Sequence, residues 1–170
     1  NKDECEMEDW GDFIEVEEID DDINAAILEE QGKALAILKM SIEDEPSKIV
    51  GSIKQYIDSI SEDQSILNYN KQELKDIAIT LGSAWGMAVC DAHNWKWQAL
   101  RREDEEYPAY FVVSPSHKFC CPPFGFILNI LEGENFGLDN RNDNTVMLLF
   151  NMIETVDFTQ SAPHNYTVLM

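Results

Sequence analysis

Residues 70–100, NKQELKDIAITLGSAWGMAVCDAHNWKWQAL, change their apolar period part-way, and that change decides the fold class. Leu74, Ile77, Ala78, Leu81, Trp85, Val89 and Ala92 recur at intervals of three and four, which predicts one face of a helix of about six turns. Asn70 is placed to cap it, and Glu73, three residues on, completes an approximate capping box. After His93 and Asn94 the period drops to two. Trp95, Trp97 and Ala99 then alternate with Lys96, Gln98 and Leu100, the pattern of a strand. Gly82 and Gly86 lie four apart on the helix and each weakens it. Small residues at that spacing read as a packing notch for another element rather than as a phosphate loop.

Working toward the N-terminus, Pro46 suits the first position of a helix carrying Ile49, Val50, Ile53, Tyr56, Ile57 and Ile60. An earlier helix runs from Ile23 through Ala26, Ile27, Ala34, Leu35 and Leu38 to about Met40, with Asp21 or Asp22 as its cap. Toward the C-terminus, the polar stretch from Arg101 to Glu106 predicts a turn and Tyr107 to Ser114 a second strand, together a β-hairpin. Lys118 to Cys121 is a short third strand that Pro122 and Pro123 stop. Phe124 to Leu131 returns to helix, Glu132 to Asn144 is a long loop, and Thr145 to Thr155 a last helix. The tail ending Val168, Leu169 and Met170 fits a terminal strand or an extended arm. The expectation is a single α+β domain over 23–170: N-terminal helices, a small antiparallel sheet, then C-terminal helices.

Charge divides the chain differently. There are 33 Asp and Glu against 12 Lys and Arg, a net charge of -21. Residues 1–22 hold twelve of the acids and one lysine, net -11, leaving -10 for the remainder. This opening segment reads as a solvated acidic tail, partly disordered or docked, whose second half Phe13, Ile14, Val16 and Ile19 pin to the domain. A field of this sign repels nucleic acid and anionic membranes and favours cationic protein surfaces. No apolar run approaches the roughly 20 residues of a membrane helix, and no basic segment followed by an apolar stretch opens the chain. Cys5, Cys90, Cys120 and Cys121 are too irregularly spaced for a disulfide scaffold, so the expectation is reduced thiols in a cytoplasm.

Catalytic and metal patterns are weak. His117, Cys120 and Cys121 cluster, but adjacent cysteines rarely point at one ion, and a structural zinc needs four ligands at wider spacing. Pairing Cys90 or Cys120 with His93, His117 or His164 would need an activating hydrogen bond and an oxyanion site. His93 is better read as complementing a helix C-terminus. The run 139–144 fails as a calcium loop, with Arg141 at its third position, Asn144 at its sixth and Phe150 at its twelfth. No phosphate-binding glycine motif, zinc-protease motif or nucleophile elbow occurs. Neither a catalytic residue nor a cofactor or metal is expected.

The segments LGSAWGMAVCDAHNWKWQAL (81–100), YFVVSPSHKFCCPPFGFILNIL (110–131) and TVMLLFNMI (145–153) resemble a group of small bacterial domains. Members of that group pair a glycine-notched helix and a W-x-W-like strand with a Pro-Phe segment and a closing helix. The resemblance spans about 74–153 and implies a stoichiometric role, since some such acidic proteins are immunity partners of secreted toxins. It transfers no catalytic residue.

Together these readings predict a non-enzymatic binding protein, monomeric or weakly dimeric, that occludes a basic toxin such as a nuclease. The contacts expected are Glu103, Asp104, Glu105 and Glu106, then Asp12, Glu15, Glu17 and Glu18, with Trp97 as an aromatic anchor. Two other classes remain open: a small enzyme with a Cys/His site, and an adaptor domain of a bacterial stress or secretion system.

Overall fold

The computed structural model describes residues 13–15, 18–133, 142–153 and 167–169. Among the described residues five α-helices and a short 3-10 helix (Ser65–Asn68) accompany a five-stranded sheet, an α+β arrangement as the change of period predicts. The helices are α1 (Asp21–Leu38), α2 (Pro46–Glu62), α3 (Lys71–His93), α4 (Pro123–Leu131) and α5 (Asn142–Met152). The strands are β1 (Phe13–Glu15), β2 (Lys96–Arg102), β3 (Ala109–Val113), β4 (Phe119–Cys121) and β5 (Thr167–Val168), lying side by side in chain order.

Helix ends follow local chemistry. Asn70 Oδ1 accepts from the Glu73 backbone N–H at 2.9 Å, and its Nδ2 donates to the Glu73 carboxylate at 3.0 Å, so the box closes through side chains. Pro46 stands at the first position of α2. The cap of α1 is Asp20 rather than Asp21 or Asp22; its carboxylate accepts from the Asp22 N–H at 3.0 Å. Asn94, in the left-handed conformation at φ 59°, ends α3 and turns the chain into β2.

The sheet is larger than a hairpin with one short strand. β1 adds an antiparallel edge to β2, with Phe13 opposite Arg102 and Glu15 opposite Leu100. β5 closes the other edge parallel to β4, reached through α4 and α5, because parallel neighbours need a long crossover. Both additions join residues more than 45 positions apart, and such pairing leaves no local periodicity to read. The hairpin turn is also displaced: β2 continues through Arg101 and Arg102, so the turn falls between Glu103 and Pro108.

Helix α3 is the centre of the molecule. Every residue from Leu81 to Val89 is buried, so two and a half turns are enclosed on all sides rather than on one face, while Ala92 is exposed. Gly82, Ser83, Ala84, Gly86 and Ala88 make this possible by letting α1, α2, α4 and the sheet approach the helix together. A Cβ on Gly82 would lie 2.9 Å from the Pro123 carbonyl oxygen, and one on Gly86 would lie 2.7 Å from Trp97 Cη2 and 3.1 Å from Pro123 Cγ. The two glycines are thus the notch that seats the start of α4 and the Trp97 ring.

This predicts opposite signs for two glycine substitutions. Gly86→Ala should destabilise the fold by about 1–3 kcal/mol, because the indole and Pro123 must both move. Gly32→Ala on α1, with nothing within 4 Å of the added methyl, should stabilise by about 0.5–1 kcal/mol. Urea unfolding of the two variants checks this, and a Gly86→Ala protein as stable as Gly32→Ala would contradict the notch.

The two sheet faces carry separate apolar clusters. Trp95, Val112, Phe119 and Cys121 join the helical core, whereas Leu100, Phe111, Val113 and Cys120 are buried together on the other face. Across the helical layer, Thr80 Oγ1 on α3 donates to the Glu30 carboxylate on α1 at 2.6 Å, and Lys33 donates to the same group at 2.8 Å. Hydrogen bonding from Lys33, then from Thr80, holds that carboxyl below the usual range.

Candidate functional site

The acidic turn is built by its own backbone. Arg101 Nη1 donates to the Glu105 carbonyl at 2.8 Å, the Arg102 N–H donates to the Glu105 carboxylate at 3.2 Å, and the Glu105 N–H donates to the Arg102 carbonyl at 3.1 Å. Glu105 therefore shapes the turn, while Glu103, Asp104 and Glu106 stand exposed around it with no hydrogen bond or ion pair among the described residues. Tyr107 follows them with 74% of its surface exposed. The sequence cue for its exposure is Pro108, which cannot donate to a ladder and so holds Tyr107 out of β3.

Pairing of β1 with β2 brings the backbone of Glu15, one member of the second acidic group, alongside β2. Phe13 is opposite Arg102, so β1 starts beside the turn that carries Glu103, and the backbone of Glu15 lies opposite Leu100. Asp12 and Glu17 lie outside the described residues. Glu18 is exposed further along β2, beside Trp97.

Trp97 is not part of the turn. It lies six residues from Glu103, roughly 20 Å along the strand. It is half-buried, its benzene ring rests in the Gly86 notch, and it stacks on Phe124 with centroids 5.7 Å apart. Trp97 is also among the residues that line a cavity of about 390 Å³ at the start of β2, with Glu18, Lys96, Gln98 and His117. Of the expected contacts, the structure unites Glu103, Asp104, Glu105 and Glu106 at one turn, and Glu18 with Trp97 at another site.

The thiols and imidazoles do not assemble a reactive centre among the described residues. Burial, and then the Asp91 carboxylate, pushes the Cys90 thiol up to about 12; burial alone pushes Cys120 up to about 12, and burial, then the neighbouring Cys120, raises the Cys121 thiol well above its ordinary value. Cys120 and Cys121 face opposite sides of β4, so they cannot converge on one ion. No three metal-ligating side chains converge among the described residues. Ser83 Oγ and His93 Nε2 are buried without a hydrogen-bond partner among the described residues. They stand ten residues apart on α3, about 15 Å along its axis, too far to act together. His93 instead packs on Phe150 with ring centroids 5.1 Å apart. His164 and Cys5 lie outside the described residues.

No family model, curated protein or solved structure matches the chain. Among the described residues no helix is long and apolar enough to cross a membrane.

Protonated, enclosed thiols should resist modification. Ellman's reagent at about pH 8 is expected to leave Cys90, Cys120 and Cys121 intact in the native protein and to label them after unfolding. Rapid native labelling at any of the three would contradict the packing and reopen thiol chemistry.

Proposed function

We propose that this chain is a non-enzymatic cytoplasmic binding protein, specifically an immunity-type protein that neutralises a basic toxin by stoichiometric occlusion. The observation that carries the reading is the acidic turn, where Glu103, Asp104 and Glu106 are exposed, with no partner among the described residues, beside Tyr107, 74% exposed. Unpaired carboxylates steer a cationic surface at long range, and an exposed tyrosine gives a desolvated anchor once the surfaces meet. Tyr107 takes the anchoring role in this mechanism, since Trp97 spends much of its surface on Gly86 and Phe124.

A nuclease is an apt target because its nucleic-acid site is necessarily cationic. The resemblance over about 74–153 points the same way. Burial of Cys90, Cys120 and Cys121 with raised thiol pKa values weighs against a thiolate nucleophile.

The test is affinity capture of the products of adjacent genes by the full chain. A basic protein should be retained at low salt, its activity should be suppressed at one-to-one ratio, and its association rate should fall steeply as salt rises. If the neighbouring basic proteins are not retained at low salt, or the complex forms at a salt-independent rate, electrostatic capture is wrong.

A further inference from the structure

Both faces of the sheet are buried, yet the described helices account for one of them. Helices α3 and α4 pack on the face that carries Trp95, Val112, Phe119 and Cys121. On the opposite face Leu100 and Cys120 are 0% exposed, Val113 3% and Phe111 6%, and every member of that cluster, Val168 included, belongs to the sheet itself. Neighbouring strands cannot enclose outward-facing side chains so completely, because a sheet face is closed to water only by a second layer. Another stretch of this chain therefore lies over it.

Strand register says where each remaining stretch meets the sheet. Glu18 and Ile19, which follow β1, line one cavity with Lys96, Gln98 and Val113 and so border the Lys96 end of this face. Thr167 enters β5 opposite Phe119, beside Cys120 and its partner Val113, so residues 154–166 arrive at the same end. Residues 134–141 link α4 to α5, whose Val146, Leu149 and Phe150 lie in the helical core. The other end, with Leu100 and Arg102, is joined by residues 1–12, because β1 begins at Phe13 opposite Arg102. Fully extended, those residues reach about 40 Å, enough to recross the roughly 23 Å of β2.

Charge agrees with that placement. Alternation along β2 puts Lys96, Gln98 and Arg102 on the face of Leu100, so an apolar centre carries a cation at each end of the strand. Residues 1–12 hold six acids against Lys2, net -5, with Cys5, Met7 and Trp10 as their apolar groups. Neither Arg102 nor Phe111 is without a partner. We propose that the acidic segment 1–12 docks on this second face of the sheet, its apolar residues over Leu100 and Phe111 and its carboxylates toward Arg102. Docked there, those acids are withheld from an external cationic surface, and the turn at Glu103 to Glu106 is left as the acidic surface that such a partner meets. The docking does not rest on the immunity reading.

The experiment attaches a nitroxide at position 4 of the full-length, isotope-labelled protein, through Glu4→Cys with Cys5→Ser, and reads the broadening of backbone amides by NMR. The Leu100 and Phe111 amides should lose most of their intensity, those of α2 in the helical layer should keep theirs, and reducing the nitroxide should restore the lost signals. Arg102→Glu, at a half-exposed position, should relieve the broadening by repelling the segment, and raised salt should weaken it in the parent. The proposal is overturned if Leu100 and Phe111 are unaffected, or if the broadening is undiminished both by Arg102→Glu and by salt. It is also overturned if the same broadening appears on isotope-labelled protein without a nitroxide when spin-labelled protein is added, which would make a second copy the occupant.

Discussion

Replacing Trp85 by alanine should remove about 3–5 kcal/mol of stability, the largest loss available from one side chain in this core. Trp85 is fully buried on α3, its ring centroid is 4.8 Å from that of Phe126 on α4, and its Nε1–H donates to the Val146 carbonyl on α5 at 3.2 Å. One side chain therefore joins three helices. The alanine variant loses the transferred apolar surface and leaves a cavity that the small residues around it cannot collapse to fill. Trp85→Phe separates the two contributions: it keeps much of the ring but removes the donor, at a cost of about 1–3 kcal/mol. Urea unfolding monitored by far-ultraviolet circular dichroism gives both values. An alanine variant within about 1 kcal/mol of the parent would mean that α3 is not enclosed as described.

The second large effect concerns the partner. Reversing Glu103, Asp104 and Glu106 together to lysine should slow association with a basic partner by about 10- to 100-fold at low salt, with a much smaller change in the dissociation rate. Glu105 is left in place because its carboxylate accepts the Arg102 N–H, so its loss would confuse charge with turn geometry. Tyr107→Ala should do the reverse, speeding dissociation about tenfold or more while association stays near the parent rate. Stopped-flow measurement over a salt series resolves the two. Equal association rates for the parent and the triple variant would remove the acidic turn from the interface. An unchanged dissociation rate for Tyr107→Ala would remove the anchor.

Much of the helical layer was legible because its determinants are local. Asn70 and Pro46 mark helix starts through groups within one turn, and Ile49, Val50, Ile53, Ile57 and Ile60 of α2 are buried as read, with Tyr56 half-buried. The glycine pair on α3 was recognisable as a notch, since four-residue spacing leaves one strip of a helix free of side chains. Its complete enclosure was not recognisable. Gly82, Ser83 and Gly86 count as weakly apolar in any periodic pattern, yet it is their lack of volume that lets neighbours close over the third side.

The candidate sites divide in the same way. Four consecutive acidic residues between two strands announce an exposed turn, so Glu103 to Glu106 could be named from composition and alternation. Exposure of Tyr107 has a local cue in Pro108, whereas partial burial of Trp97 depends on the notch at Gly86 on another element, and no spacing within β2 encodes that. The cavity depends on still more distant relations, because it brings Glu18 from before α1 beside Lys96 and the β3–β4 turn.

The amino-acid order alone was enough for the helix-to-strand change at Asn94, the capped helix ends, the acidic hairpin turn and the net charge that orients any search for a partner. Each arises from propensity, capping or charge within a few residues. Tertiary structure was needed to add β1 and β5 to the sheet, to enclose α3 on every side, to seat Trp97 against Gly86, and to bring Glu18 and Lys96 to one cavity. Those outcomes depend on shape and register between residues far apart in the chain, where packing volume and strand pairing, rather than local periodicity, choose among the arrangements.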